Sequence, residues 1–256
     1  MTSQEIARPN SPTGMSWLVS LTLFVGIASV VTFLARDRAL VWDEGMTLQR
    51  LDLLDDGLSR LQAGEIPFDT FAAQYWRFSR AEPDGHGPFY ALLSWAGHRA
   101  TRWILPLPLA YRMGSILLFS LACTLLERSL RPHFSPLARL SAVAFMVTMP
   151  RLLPEVSFAL IDGPLASLAM IALATFLRAV DTGSTRWPIC FGIAIGTAMA
   201  TKLTGWFFVA PYLAWLASTF FDRTRSWKFS QVVAAALVIP ATVILWNVGW
   251  WPNLVE

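Results

Sequence analysis

Charged residues are scarce in this chain. Asp, Glu, Lys and Arg make up 14% of the 256 residues and hydrophobic residues 55%, whereas soluble domains carry about 25% charged residues. The apolar residues also come in long runs, which excludes a water-soluble globular domain and indicates lipid as the solvent. Residues 16–35 carry no charge and match the roughly 20 residues that a helix needs to cross a bilayer.

Cysteine and histidine are rare as well, with two and three residues. Cys123 and Cys190 lie inside apolar runs, where cysteine acts as a small hydrophobic residue, so they indicate neither a disulfide nor a metal site. The net charge is +3, but the basic residues are dispersed and flank apolar runs, as membrane topology requires. We therefore expect no nucleic-acid partner, and we find no internal repeat.

The apolar runs predict an all-α polytopic membrane protein with about seven transmembrane helices. The predicted spans are residues 16–35, 107–126, 136–150, 160–177, 188–201, 205–221 and 231–248. The first run ends in Ala35-Arg36-Asp37-Arg38 and not at a small-residue cleavage site, so it is predicted to be an uncleaved span. The chain is treated as one transmembrane domain, residues 1–256, and is expected to be the N-terminal part of a longer protein.

The basic residues of the short connections predict the orientation. Eight of them fall on the side of the N-terminus: Arg128, Arg131, Arg139, Arg178, Arg186, Arg223, Arg225 and Lys228. The short connections on the opposite side carry only Arg151 and Lys202. By the positive-inside rule, the N-terminus is predicted to be cytoplasmic, in a plasma or inner membrane. A topology in which residues 89–100 also cross the membrane would reverse this balance and is rejected.

Residues 36–106 form a large first extracytoplasmic loop that holds ten of the seventeen acidic residues. Leucines at helical spacing predict an amphipathic helix in it: Leu51, Leu54, Leu58 and Leu61. Residues 89–100 predict a second helix, apolar but too short to span. Both helices are expected to lie along the membrane surface.

Two polar groups of this loop are candidates for chemistry. Asp43 and Glu44 follow the first span closely, where a carboxylate can act as a general base on a hydroxyl group; a solvated pair of loop residues is the alternative. Asp84 and His86 precede the second surface helix and could hold a divalent metal ion or orient a phosphate. A capping turn explains the same Gly and Pro residues equally well.

Three further ionisable residues are predicted at the non-cytoplasmic ends of spans, where a charge is costly unless it is paired or wetted. They are Arg112, Asp162 and Lys202, with Arg151 and Glu155 as the expected local ion partners of Asp162. Snorkelling towards the headgroups is the alternative for the two cations. Acids that activate an acceptor and cations that hold a phosphate suit group transfer from a lipid phosphate, such as a polyprenyl-phosphate sugar.

The order of these motifs resembles the membrane glycosyltransferases of the GT-C fold, in particular glycosyltransferase family 39 with its protein O-mannosyltransferases and aminoarabinose transferases. The matching segments are Asp43-Glu44, His86-Gly87-Pro88-Phe89, Tyr111-Arg112-Met113, Ile161-Asp162-Gly163-Pro164 and Thr201-Lys202-Leu203-Thr204-Gly205. Gly87 departs from the family, which has a proline at that place.

The resemblance implies a role for each matched residue. Asp43 would be the base that deprotonates the acceptor, with Glu44 beside it and Asp162 as a second acid facing the cavity. Arg112 and Lys202 would donate to the phosphate of the lipid donor. The transfer would invert the anomeric centre, and the acceptor could be a protein, a lipid or a glycan.

Two other classes of function stay open at this stage. A transporter or flippase would place ionisable groups near the bilayer midplane and use broken helices, which Gly192, Gly196 and Pro240 leave open. A non-catalytic membrane subunit would share the fold alone.

Overall fold

The computed structural model describes residues 13–76, 88–219 and 227–247. Within these ranges the secondary structure is helical, without a strand, which confirms the all-α prediction. The α-helices are α1 Thr13–Ala35, α2 Trp42–Gln62, α3 Phe68–Phe71, α4 Phe89–Thr101, α5 Leu109–Leu130, α6 Pro136–Thr148, α7 Leu152–Ser157, α8 Asp162–Thr182, α9 Arg186–Thr201, α10 Val209–Thr219 and α11 Phe229–Trp246. A π-helical turn, Ala72–Trp76, follows α3, and a 3-10 helix, Leu203–Phe208, precedes α10.

Four helices are long and apolar enough to cross a membrane: Trp17–Ala35, Leu109–Leu130, Asp162–Thr182 and Phe229–Trp246. The other three predicted spans are also helical but shorter. α6 has 13 residues and α9 has 16, and the sixth span is divided between the 3-10 helix and α10. The seven-span topology therefore stays a prediction, although each predicted span corresponds to helix in the described ranges.

α5 extends four residues beyond its predicted end, to Leu130. The sequence suggested an earlier end because Glu127 is charged. In the fold, Glu127 is 2% exposed and accepts ion pairs from Arg131 at 2.7 Å and Arg139 at 3.1 Å. The two arginines therefore neutralise the charge of Glu127, and α5 continues past this residue.

α5 and α8 lie at the centre of the bundle, whereas α1 and α11 lie at its edge. Of the apolar stretch that could cross the membrane, 72% is buried inside the protein in α5 and 61% in α8. The corresponding share is 28% in α1 and 17% in α11. The outward faces of the edge helices carry large apolar side chains, such as Leu18, Phe33, Leu237 and Leu245. Surfaces of this extent need an apolar environment, which lipid supplies.

The first loop has a small hydrophobic core of its own. Residues of α2, α3, the π turn and α4 meet in it: Leu51, Leu54, Ile66, Phe71, Tyr75, Tyr90 and Ala91. Both predicted loop helices are present. α2 starts at Trp42, earlier than the leucine pattern indicates, so that Asp43 and Glu44 belong to its first turn and not to an irregular loop.

α4 packs closely on the start of α5 through two glycines. A Cβ on Gly97 would overlap the backbone nitrogen of Gly114, and a Cβ on Gly114 would overlap the carbonyl oxygen of Leu93. Backbone meets backbone at this crossing, so no flexible side chain can move aside. The contact holds the loop core against the bundle at the end where Arg112 lies.

Gly114→Ala is expected to force α4 away from α5 and to cost about 3 kcal/mol of folding free energy, the upper range for an overpacked site. Gly26→Ala on α1 is the matched control, since nothing lies within 4 Å of a Cβ there and alanine is the better helix former by about 1 kcal/mol. Thermal unfolding of the purified chain in detergent measures both. Equal melting temperatures for the two variants would contradict the close crossing.

Candidate active site

Arg112, in the first turn of α5, is the largest fully buried side chain among the described residues, at 1% exposure. Its guanidinium donates five hydrogen bonds. Nε and one Nη2 hydrogen go to the two carboxylate oxygens of Glu44, each at 2.7 Å. The others go to the carbonyl oxygens of Ala35, Arg38 and Ala39, at 2.9 to 3.1 Å. All five N–H groups of the side chain are therefore used within the protein.

Glu44 is the partner that makes this arrangement stable. It is 0% exposed, and besides the two bonds from Arg112 its Oε1 accepts a hydrogen bond from the backbone N–H of Ala159 at 3.0 Å. Phe158 adds a ring whose centroid lies 4.9 Å from the guanidinium carbon of Arg112, within the distance of a cation–π contact. A buried pair with this geometry joins the end of α1, the start of α2, the start of α5 and the turn before α8.

Asp162 and Lys202 form a second pair near the same turn. Lys202 Nζ donates to Asp162 Oδ1 at 2.7 Å. Asp162 occupies the first turn of α8, only three residues after Ala159, and Lys202 directly follows α9. Their side chains are 45% and 28% exposed, so this pair, unlike the buried one, can be reached from outside the protein.

The structure thus brings together four of the five residues for which the resemblance implied a role. Glu44 and Arg112 are bonded to each other, and the turn at Ala159 connects them to the Asp162 and Lys202 pair. For Asp43 the structure describes the backbone, in the first turn of α2 next to Glu44. Its roles and those of its neighbours remain proposals.

The metal prediction falls on residues outside the described ranges, since Asp84 and His86 lie between residues 76 and 88. Among the described residues, no group of three or more His, Cys, Asp or Glu side chains is placed to hold a metal ion. A divalent metal at Asp84 and His86 therefore stays a prediction.

Sequence reasoning missed the partners in this site. It assigned Arg112 to a phosphate, whereas the structure pairs it with Glu44, 68 residues earlier. It expected local partners for Asp162, whereas the ion pair is with Lys202, 40 residues later. Nothing in the sequence indicates that the backbone N–H of Ala159 donates to Glu44. Every residue except proline has a backbone N–H group, so the residue type at position 159 does not predict this bond.

Polar contacts also connect the helices of the loop core to one another, and the sequence did not predict them. On α2, Arg50 donates to the hydroxyl of Tyr90 on α4, and Asp55 accepts from the indole N–H of Trp95. Both contacts span 40 residues. They fix α4 beside α2 and thereby set the position of the first turn of α2, where Asp43 lies.

The family model described as dolichyl-phosphate-mannose-protein mannosyltransferase matches residues 86–246, which is more than half of the chain. The matched segment includes Arg112, Asp162 and Lys202, while Asp43 and Glu44 precede it. No curated protein and no solved structure matches the chain.

Proposed function

The chain belongs to the dolichyl-phosphate-mannose-protein mannosyltransferase family, a family of glycosyltransferases, and we propose that it moves a sugar from a polyprenyl-phosphate donor to an acceptor hydroxyl on the non-cytoplasmic face of the membrane. One observation carries this proposal. The buried Glu44–Arg112 pair holds the first turn of α2, with Asp43, beside a turn that presents the partly exposed Asp162–Lys202 pair. The Asp162 carboxylate and the Lys202 ammonium therefore lie together at the end of the helix bundle where α2 begins.

In the proposed reaction, Asp43 takes the proton of the acceptor hydroxyl as general base. The acceptor oxygen then forms a bond to the anomeric carbon from the face opposite the phosphate. The bond between that carbon and the phosphate oxygen breaks, and the lipid phosphate leaves with its electron pair. Direct displacement inverts the anomeric centre without a covalent intermediate on the enzyme.

Lys202 is the proposed donor to the lipid phosphate, with Asp162 holding its ammonium in place. The pair is partly exposed, and a charge-assisted bond to phosphate suits a lysine at this position. When the donor binds, Lys202 would exchange part of its contact with Asp162 for a bond to the incoming phosphate; until then Asp162 keeps the net charge of the site low.

Arg112 and Glu44 are proposed as positioning residues and not as groups that touch substrate. Arg112 has no N–H group left for a phosphate in this structure, and Glu44 is fully enclosed. Together they hold the start of α2 against α5, which determines where the neighbouring Asp43 can reach. This role replaces the phosphate-binding role that the resemblance implied for Arg112.

A transport function has less support from the same structure. Of the three residues that left that option open, Pro240 lies inside α11, which continues past it to Trp246. Gly192 and Gly196 lie where α9 meets α11; a Cβ on Gly196 would be 2.7 Å from the carbonyl oxygen of Ile239 and from Cβ of Thr242. Close helix packing explains both glycines. No midplane channel is needed to account for them.

The proposed activity is tested in membranes that contain the full gene product and a mannosyl polyprenyl phosphate, the kind of donor named in the family description. Transfer of labelled sugar from this lipid, but not from a nucleotide sugar in washed membranes, is the expected result. Accumulation of labelled solute inside sealed vesicles without transfer would favour a transporter. Absence of both, with the protein folded, would favour a non-catalytic subunit.

Lys202→Gln is expected to raise the KM for the lipid donor by about tenfold or more, because it removes a charge-assisted hydrogen bond to phosphate worth about 1.5–3 kcal/mol. Lys228→Gln is the matched control, since Lys228 is an exposed lysine just before α11 that lies near Gly183 at the other end of the bundle. Initial rates at varied donor concentration measure both variants. An unchanged KM in Lys202→Gln would remove Lys202 from the donor site.

A further inference from the structure

A cavity of about 390 Å³ lies between the ends of α1, α5, α8 and α9. Its volume falls in the range of small-molecule sites. Three arginines and two tryptophans contribute to its lining, together with one cysteine: Arg128, Arg178, Arg186, Trp17, Trp187 and Cys190. Neither the family resemblance nor the proposed reaction uses any of them.

The cavity is separate from the candidate active site. Three helices connect the two regions, each with a site residue at or next to one end and a cavity arginine 16 residues away: Arg112 and Arg128 on α5, Asp162 and Arg178 on α8, Lys202 and Arg186 on α9. Sixteen residues of helix span about 24 Å, close to the roughly 30 Å of the bilayer hydrocarbon core. The two regions therefore lie near opposite membrane surfaces.

None of the three arginines of the cavity forms a salt bridge with a carboxylate of the described residues, although Asp181, three residues further along α8, attracts the guanidinium of Arg178. Two of them contact aromatic rings. The guanidinium carbon of Arg128 lies 4.2 Å from the ring centroid of Trp17, and that of Arg186 lies 5.2 Å from the ring of Trp187. Arg128 and Arg178 are half-buried and Arg186 is exposed, so two of the three like charges are partly shielded from water.

The two described carboxylates at this end of the bundle are already paired elsewhere. Glu127 accepts from Arg131 and Arg139, and Asp181 lies 3.0 Å from His133. The neighbouring basic residues therefore form ion pairs or hydrogen bonds where a carboxylate is within reach. The cavity arginines, by contrast, form no salt bridge with a described carboxylate.

Helix polarity at the cavity is mixed, because α5 and α8 end there and α9 begins there. Arg128 and Arg178 lie towards the C-terminal ends of their helices, where cations are favourable, but Arg186 begins α9, at the positive end of its dipole. Thr185, at the N-cap of that helix, makes no side-chain capping bond. The indole nitrogen of Trp187 is buried and has no hydrogen-bond partner in the described ranges. The cavity therefore presents three guanidinium groups and one buried indole N–H that has no partner among the described residues.

We propose that this cavity binds the phosphate headgroup of an anionic membrane lipid, in the leaflet opposite the one that the active site faces. Guanidinium groups form bidentate hydrogen bonds with phosphate, and basic pockets between transmembrane helices are suited to lipid headgroups. Trp17 and Trp187 flank the site as aromatic residues do at the membrane interface. The position at the helix ends favours a lipid over a free anion, since the acyl chains can lie along the apolar faces beside the cavity.

The rival explanation is that these arginines serve orientation alone, through the positive-inside rule. That role needs their charge and not their geometry. Arg→Lys variants keep the charge but lose the bidentate fork, so they separate the two explanations.

Cys190 supplies a reporter within the cavity. It is exposed and lines the site, whereas Cys123, the second cysteine of the chain, is buried. The full chain in mixed micelles is treated with N-ethylmaleimide, and the alkylation rate of Cys190 is followed by mass spectrometry. Phosphatidic acid is expected to slow alkylation at least fivefold, while phosphatidylcholine and inorganic phosphate at the same concentration leave the rate unchanged.

The double variant Arg128→Gln/Arg178→Gln is expected to need at least tenfold more phosphatidic acid for the same protection, and Arg128→Lys/Arg178→Lys an intermediate amount. Arg102→Gln, an exposed arginine after α4, is the control and keeps wild-type protection. Equal protection by phosphatidylcholine, or by inorganic phosphate, would overturn the assignment of an anionic lipid. Wild-type protection in both double variants would overturn the role of the arginines.

Discussion

Replacement of Arg112 by alanine is expected to remove about 3–5 kcal/mol of folding free energy, the cost of breaking a buried ion pair on one side. Glu44 would be left fully enclosed without its cation, and the carbonyl oxygens of Ala35, Arg38 and Ala39 would lose their donors. For a chain of this size we expect a fall in melting temperature on the order of 10 °C. Thermal unfolding in detergent measures it, and sugar transfer is expected to fall with it.

Arg36→Ala is the matched control for that experiment. Arg36 also pairs with an acid, Asp37, but the two side chains are 53% and 83% exposed, and exposed pairs contribute at most about 1 kcal/mol. Its melting temperature should stay close to that of the wild type. The two arginines differ in enclosure and not in residue type, so the comparison isolates burial.

Arg112→Lys separates the positioning role from direct phosphate binding. Lysine keeps the charge but cannot reproduce five bonds in a fixed plane, so we expect a clear loss of stability. A stable Arg112→Lys protein whose only defect is a higher donor KM would contradict the positioning role and restore the phosphate-binding role that the resemblance implied.

Asp43→Asn is expected to lower sugar transfer by about 100-fold or more, the usual contribution of a general base. The loss should appear in kcat, with the donor KM little changed, because asparagine has nearly the same shape but cannot accept the proton. Folding should be nearly unaffected, since a charge in the first turn of a helix contributes about 0.3–1 kcal/mol. Transfer kinetics and melting temperature are measured on the same preparation.

Asp37→Asn is the control for Asp43. Asp37 lies six residues earlier, beyond the end of α1, and is largely exposed. It is expected to leave transfer unchanged. Undiminished transfer in Asp43→Asn would remove this residue from catalysis while leaving the family assignment intact, because Asp43 lies outside the matched residues 86–246.

Much of the fold could be predicted from apolar runs and helical spacing. The predicted span at residues 160–177 corresponds to α8, which starts at Asp162, and the predicted surface helix at 89–100 corresponds to α4. Both succeed because a helix in an apolar solvent satisfies its own backbone, so local composition is enough. The predictions were less accurate where a distant partner changes a local preference, as when Arg131 and Arg139 allow α5 to run through Glu127.

The candidate site could be predicted only as a set of residues on one side of the membrane. Helical spacing shows that Arg112, Asp162 and Lys202 are near helix ends, but it does not give the rotation of one helix against another. That rotation decides that Glu44 meets Arg112 and Asp162 meets Lys202. The same limit hid the arginine cavity, whose members come from separate helices and resemble ordinary topology signals in the sequence.

By itself, then, the sequence determined the solvent, the helical class and the membrane end at which its costly charges are gathered, because each follows from the free energy of placing a local segment in lipid. The tertiary structure decided which of those charged residues stabilise the fold and which stay accessible. Arg112 is enclosed by five acceptors, while Lys202 shares one bond with Asp162 and remains partly exposed. The reason is geometric: an ion pair depends on two atoms meeting within about 3 Å, and only the packing of helices far apart in the chain brings them there.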